Sequence, residues 1–170
     1  LTNVDHAHLT AVTQSMEETG CSIQVDGSTM RVRLDDVPEA VDVTAAIYPG
    51  FPTDTQAQWA AYMLTAKGAS RIKDTIYPTR FGYVPELHRL GANIETGEGY
   101  CVVKGGAHLT GATVMSSDLR ASVSLVMAGL VADGETEILR VYHLDRGYEA
   151  LEHKLGALGA HIERRTTEVY

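Results

Sequence analysis

Two carboxylates and three arginines carry the chemistry that this sequence offers. Asp54 lies in Phe51-Pro52-Thr53-Asp54-Thr55-Gln56-Ala57-Gln58 and Asp118 in Ser116-Ser117-Asp118-Leu119-Arg120, each where a helix is due to begin. A carboxylate in a first helical turn meets free backbone N–H groups and the positive end of the helix dipole, for about 0.3–1 kcal/mol. Capping therefore accounts for either residue taken alone. Asp54 has more around it, because Pro49, Gly50 and Pro52 crowd just before it and make a stiff loop that aims the following turn. A rigidly held carboxylate can act as a general base.

Arg80 (Thr79-Arg80-Phe81), Arg120 (Asp118-Leu119-Arg120) and Arg146 (Leu144-Asp145-Arg146-Gly147) each stand at or just before an expected helix start. Stability gives little reason for that, since cations are better placed at helix C-termini. An anionic ligand does: guanidinium forks beside helix N-terminal amides bind carboxylate or phosphate. Surface ion pairs such as Asp118 with Arg120 or Asp145 with Arg146 are the alternative for any one of them.

Other polar candidates offer less. His6 and His8 are two apart, so a helix does not bring both to one metal-binding face, and they read as solvated. His143, just before Asp145-Arg146, reads as a hydrogen-bonding loop residue. Cys21 and Cys101 are too few and too far apart for a zinc knuckle or a CxxC redox pair, and each opens an apolar strand-like run. Gly97-Glu98-Gly99 and Gly105-Gly106 read as turn and connector glycines, because neither opens a helix as a phosphate loop does. There is no GxSxG elbow and no HExxH. No metal and no cofactor are expected.

The elements that position these residues show an internal repeat. A glycine closing a helix and leading into a strand recurs at Gly20-Cys21-Ser22-Ile23-Gln24, Gly91-Ala92-Asn93-Ile94-Glu95 and Gly159-Ala160-His161-Ile162-Glu163. Four and eight positions before each glycine stand Met16 and Val12, Leu87 and Tyr83, and Leu155 and Leu151, one face of a helix. Period-two alternation follows, as in Ile23 and Val25, then Met30, Val32 and Leu34 across Asp26-Gly27, which is a hairpin pattern. Val41 to Thr44 and Ala112 to Met115 read as strands, each followed by a helix from near Thr53-Asp54 or Ser117-Asp118 that ends at Gly68 or Gly134. Strands over Arg71 to Tyr77 and Glu135 to Tyr142 come next. The expected plan is one α/β domain over 1–170, built from βαβαββ units at 1–34 (incomplete), 35–106 and 107–170.

A truncated first unit predicts an apolar face around Val12, Met16, Ile23 and Val25 that leads the isolated chain to self-associate, or leaves that region loosely ordered. Composition is compatible with one core: 170 residues, 44% hydrophobic. The net charge of -8 argues against a nucleic-acid partner. No run approaches the roughly 18 apolar residues of a membrane span, and LTNVDHAH lacks signal-peptide order, so a cytoplasmic location is expected. A start at Leu1 reads as a fragment or a processed chain.

The three runs quoted for Asp54, for Asp118-Leu119-Arg120-Ala121-Ser122 and for His143-Leu144-Asp145-Arg146-Gly147-Tyr148-Glu149, with Lys154-Leu155 and Leu158-Gly159-Ala160 behind, occur in collinear order. Together they closely resemble the bacterial UDP-N-acetylglucosamine 1-carboxyvinyltransferases over nearly the whole chain. The resemblance implies an inside-out α/β domain of βαβαββ units, and transfer of the enolpyruvyl group of phosphoenolpyruvate to the 3′-hydroxyl of UDP-N-acetylglucosamine, the first committed step of peptidoglycan synthesis. It implies Asp54 as the carboxylate and proposed base at that hydroxyl, and Ile76 as a backbone contact to the nucleotide sugar. It further implies Arg120 and Arg146 as holders of phosphoenolpyruvate, Asp118 beside the reacting carbon, and Arg80 in the cleft. The family's reactive cysteine and Lys-Asn pair belong to an N-terminal domain that neither Cys21 nor Cys101 replaces, so the chain should not turn over alone. A non-catalytic nucleotide-sugar- or anion-binding module, or an enolpyruvylshikimate-phosphate synthase-like enzyme, are the alternatives.

Overall fold

A computed structural model describes residues 1–166. The first helix, α1 (Thr10–Glu18), follows a single 3-10 turn and ends at Gly20, whose φ of 98° is accessible to glycine without a Cβ clash. Strands β1 (Ser22–Asp26) and β2 (Thr29–Arg33) pair antiparallel, with Ile23 opposite Val32 and Val25 opposite Met30. The hairpin expected across Asp26-Gly27 is thus present.

The next stretch runs strand, helix, strand, helix, strand, strand: β3 (Val43–Ala45), α2 (Gln56–Met63), β4 (Ala69–Asp74), α3 (Val84–Arg89), β5 (Asn93–Gly97) and β6 (Tyr100–Lys104). Its four strands form one sheet in the order β3-β4-β6-β5, with β3 parallel to β4 and the other pairs antiparallel. Along β4 every second residue is buried, Ser70, Ile72 and Asp74, so one face of the sheet covers the core. After it come β7 (Thr113–Met115), α4 (Leu119–Gly129) and β8 (Glu137–Leu139), with β7 and β8 parallel. A 3-10 turn over Val141–Arg146 and α5 (Leu151–Ala157) end the described elements.

Consecutive stretches are joined in the same way. The Glu39 N–H donates to the Thr19 carbonyl and the Thr110 N–H to the Leu90 carbonyl, each acceptor lying just before a helix-ending glycine. Ala40 and Gly111 then donate to Lys67 and Asp133, just before Gly68 and Gly134. Those two glycines, with Gly91 and Gly159, have φ between 90° and 100°.

The helices α2 and α4 form the middle of the core, with the buried faces of the strands packed on them. On α2, Ala57, Ala60, Ala61 and Met63 are buried, and on α4 Ala121, Ser122, Ser124, Leu125 and Ala128 are. A helix apolar or small on nearly all sides must be enclosed, and the alanine and serine faces let α2 and α4 approach closely. Phe51, Trp59 and Tyr62 pack edge to face beside them, at 5.4 and 5.5 Å between ring centroids. The sheets sit outside these helices, as expected.

The third stretch departs from expectation. The strand expected over Glu135 to Tyr142 is only Glu137–Leu139, because Arg140 turns left-handed at φ 59° and the chain winds into the 3-10 turn that buries Leu144 against Val123 and Val126. No strand forms after Gly159 within the described residues. A strand needs a hydrogen-bonded neighbour, and no described segment pairs with 160–166. Residues 167–170 of the expected unit lie outside the described residues. Arg146 also differs from expectation: it ends the 3-10 turn, with α5 starting at Leu151.

On the N-terminal side, Val12 and Met16 pack half-buried against the core, while Val25 and Val32 are 45% and 39% exposed. Leu1, Leu9, Val12, Met16 and Met30 line a groove of about 650 Å³ there.

Candidate functional site

The loop before α2 is tightly closed. The Ala46 N–H donates to the Phe51 carbonyl and the Gly50 N–H to the Ile47 carbonyl, the Tyr48–Pro49 peptide is cis, and a Cβ on Gly50 would come within 2.9 Å of the Ala46 Cβ. This loop delivers Pro52 into a 3-10 turn, Thr53–Thr55, whose start no side chain caps. The Asp54 carboxylate thus makes no cap at all. Its Oδ1 instead accepts from Arg80 Nη1 at 3.0 Å and from Arg120 Nε at 2.9 Å, with Arg120 Nη2 in ion-pair contact at 2.8 Å. The residues expected to matter in two different stretches therefore meet on one carboxylate oxygen.

Arg80 comes from the turn between β4 and α3. Its Nη1 also donates to Thr53 Oγ1 at 2.9 Å, and its guanidinium lies 4.0 Å from the centroid of the Tyr77 ring. Thr53 Oγ1 in turn donates to Asp74 Oδ2 at 2.6 Å. Asp74, at the end of β4 and only 1% exposed, accepts from the backbone N–H groups of Ile76 and Tyr77 at Oδ1, at 2.9 and 2.8 Å. This fixes the backbone at Ile76. Thr53, Asp74 and Tyr77 were not among the residues singled out from the sequence. An Asp two and three residues before the N–H groups of a turn is the local signal that could have found Asp74.

Asp118 does what capping predicts: its Oδ1 accepts from the N–H groups of Arg120 and Ala121 at 2.8 and 3.1 Å. The cap sets the first turn of α4 and with it the direction of the Arg120 side chain toward Asp54. Ser122 Oγ donates to the Asp118 carbonyl and meets Ser116 Oγ, closing the same turn from inside.

Arg146 is exposed, and its side chain makes no hydrogen bond or ion pair among the described residues. Its neighbours place it on the same side: a Cβ on Gly147 would come within 2.9 Å of Leu119, and Gln58 Nε2 donates to the Tyr148 hydroxyl at 3.0 Å. The loop carrying Arg146 therefore rests on the first turns of both α4 and α2. His143 stacks on Tyr142 at 4.3 Å, and its Nδ1 is buried without a partner among the described residues.

Neither cysteine is an available nucleophile here. Cys101 is fully buried, and burial pushes its thiol up to about 11. Burial likewise raises the Tyr83 hydroxyl, which lies 3.7 Å from the Cys101 sulfur. Cys21 is buried beside the hydroxyls of Thr19 and Tyr62, at 3.7 and 3.4 Å. Among the described residues no group of three His, Cys, Asp or Glu side chains is placed to hold a metal, and no helix is long and apolar enough to cross a membrane.

The sequence model of the EPSP synthase (3-phosphoshikimate 1-carboxyvinyltransferase) family matches residues 1–155. A Prosthecochloris aestuarii protein named UDP-N-acetylglucosamine 1-carboxyvinyltransferase is 51% identical over 170 residues, all of this chain and 40% of that protein. One of the same name from Myxococcus xanthus is 52% identical over 157 residues, 92% of this chain and 37% of its own. Among solved structures, the enolpyruvyl transferase NikO from Streptomyces tendae superposes with a TM-score of 0.83 at 29% identity, covering 91% of this chain and 36% of that one. The EPSP synthase from Acinetobacter baumannii shares the fold, with a TM-score of 0.58 at 19% identity over 76% of this chain and 32% of its own. The chain spans about two fifths of the length of the curated relatives it matches. It belongs to the EPSP synthase (3-phosphoshikimate 1-carboxyvinyltransferase) family, and half of its residues are identical to those of UDP-N-acetylglucosamine 1-carboxyvinyltransferases along its whole length.

Proposed function

We propose that this chain carries part of the active site of an enolpyruvyl transferase, which moves the enolpyruvyl group of phosphoenolpyruvate to the 3′-hydroxyl of UDP-N-acetylglucosamine and releases phosphate. Such an enzyme works in the cytoplasm at the first committed step of peptidoglycan synthesis. The observation that carries the reading is the meeting of Asp54 with Arg80 and Arg120 at the starts of α2 and α4, in a chain half identical to transferases of that name. The rest of the site, with the acid that protonates the substrate's methylene carbon, belongs to an N-terminal domain in the remaining length that the relatives have.

Addition requires the acceptor hydroxyl to lose its proton, and Asp54 takes it. Arg120 and Arg146 hold the carboxylate and phosphate of the donor, and Asp118 stands beside the carbon that gains and then loses a proton. Elimination of phosphate restores the double bond. The Ile76 backbone, held by Asp74, contacts the nucleotide sugar, and Arg80 lines the cleft. In the arrangement described, Asp54 Oδ1 accepts a hydrogen bond from each of two arginines. Donor binding draws Arg120 toward the substrate's anion and so frees that oxygen for the hydroxyl. No metal or cofactor is needed for these steps, and none is proposed.

The test is phosphate release by the parent polypeptide of the relatives' length, given both substrates. Arg120→Lys and Arg146→Lys keep the charge but lose the fork. Each should raise the apparent KM for phosphoenolpyruvate several-fold more than that for the nucleotide sugar. Equal effects on both substrates would assign the arginines to folding or domain closure. No phosphate release from the unaltered parent would leave a binding module of the same fold.

A further inference from the structure

Asp74 is a buried carboxylate that the proposed reaction does not use. It is 1% exposed and makes no ion pair among the described residues. Burying a charge without an adjacent counter-charge is unfavourable unless its hydrogen bonds are satisfied. Two of them, to the N–H groups of Ile76 and Tyr77, would be served equally by the neutral oxygen of an asparagine. The third would not. Thr53 Oγ1 spends its one proton on Asp74 Oδ2, at 2.6 Å, and so can only accept from Arg80 Nη1. That same nitrogen reaches Asp54 Oδ1. Tyr77, whose N–H Asp74 holds, places its ring under the Arg80 guanidinium. Of the three side-chain contacts of Arg80, those to Thr53 and Tyr77 thus have Asp74 as their anchor, and the third is to Asp54 itself. The Arg80 side chain is accordingly 17% exposed, against 63% for the Asp54 side chain that it steadies.

We infer that Asp74 is a positioning residue of this site, which sets Arg80 through Thr53 and Tyr77 and, through Arg80, aims the Asp54 carboxylate. The inference rests on the enolpyruvyl-transfer reading for its kinetic consequence and on the geometry alone for its structural one. Asp74→Asn keeps the turn but presents an N–H donor to a hydroxyl that needs an acceptor. Thr53→Val keeps the shape of the side chain and removes the relay, and Thr53→Ser restores it.

The experiment is steady-state kinetics on the parent polypeptide, paired with ¹⁵N relaxation of the Arg80 side chain. Thr53→Val and Asp74→Asn should each lower kcat about ten- to a hundredfold, as misaimed catalytic groups do, with both KM values changed by less than about threefold. Thr53→Ser should recover most of kcat, and the double variant should be no slower than the slower single one, because the two residues act as one unit. Arg80 Nε should be rigid in the parent and in Thr53→Ser and mobile in the other variants. Losses that multiply in the double variant, or a valine variant with unchanged kcat and a rigid Arg80, would overturn the inference. Should the parent release no phosphate at all, the functional reading fails, while Arg80 order still decides whether Asp74 sets the arginine.

Discussion

Replacing Asp54 by asparagine separates a catalytic role from a structural one, because the geometry gives the two different magnitudes. Asp54 caps no helix, so no capping energy is at stake. What is lost is the charge in two ion pairs, with side chains 63% exposed on Asp54 and 17% and 33% exposed on Arg80 and Arg120. Pairs this open to water contribute about 0.2–1 kcal/mol each, and the asparagine oxygen still accepts. The stability cost should therefore be about 0.5–1 kcal/mol, or about 1–4 °C in Tm for a chain of this size. Removing a general base lowers kcat about a hundredfold or more, which is about 2.7 kcal/mol of transition-state stabilisation. Phosphate release by the parent polypeptide at saturating concentrations of both substrates reads the second quantity, and scanning calorimetry the first. A kcat within threefold of the unaltered protein would refute the base assignment. A fall in Tm beyond about 8 °C would refute the argument that the carboxylate is structurally dispensable.

Asp118→Ala removes two hydrogen bonds at the start of α4 and should cost about 1 kcal/mol in a urea titration, whereas Asp118→Asn should leave stability almost unchanged and lower kcat. Leu125→Ala, at a fully buried position on α4, should cost about 2–5 kcal/mol, read as a lower urea midpoint with an unchanged slope. Burial raises the Cys101 thiol to about 11, the Tyr62 hydroxyl to about 12, and the Tyr83 hydroxyl as well. Each group is neutral in the fold and ionises first in the unfolded chain, so its contribution is complete below its unfolded value and is lost as pH rises through the folded one. The urea midpoint should hold between pH 7 and about 8.5 and fall from about pH 9 to 11, while a flat profile would contradict the burial. Light scattering of residues 1–170 should show self-association that Val25→Lys together with Val32→Lys relieves, and a monomer at all concentrations would show that the exposed face needs no cover.

How far the sequence could be read follows from where the determinants are local. The ends of α1, α3 and α5 were legible because Gly20, Gly91 and Gly159, just past each helix, take the left-handed φ that glycine adopts freely, whereas α2 and α4 already end at Met63 and Gly129, short of the expected Gly68 and Gly134. Hairpins were legible at Asp26-Gly27 and Glu98-Gly99 for a similar reason. The strand after Gly159 was not, because strand formation depends on a partner segment and not on its own alternation. At the site, the residue types and motif positions of Asp54, Arg80 and Arg120 were legible. Their convergence on one oxygen was not, because it depends on how α2 and α4 pack, which brings residues 54 and 120 together across 66 positions of chain. Asp74 escaped notice because an aspartate at a strand end looks solvated in a sequence, and only packing shows it enclosed. Arg146 was misplaced because the left-handed residues Arg140 and Ala150, at φ 59° and 46°, are not glycines and carry no local mark.

The connector at Gly105-Gly106 runs across the far end of α2. The Gly106 N–H donates to the Leu64 carbonyl and the Gly105 N–H to the Gly68 carbonyl, and a Cβ on Gly105 would stand 2.1 Å from the Ala66 carbonyl oxygen and 2.7 Å from that of Met63. Any side chain at position 105 must displace either the connector or this end of the helix. Eight residues of α2 separate it from the turn holding Asp54, a rod of about 12 Å enclosed on nearly every side and so with little room to bend. Where the helix is what yields, position 105 works as the short arm of a lever on the carboxylate. A crowding substitution there would tilt Asp54 out of reach of Arg120 with every residue of the site still in place, and loss of activity mapped to that remote connector would be the mechanical signature of a helix that transmits displacement along its axis.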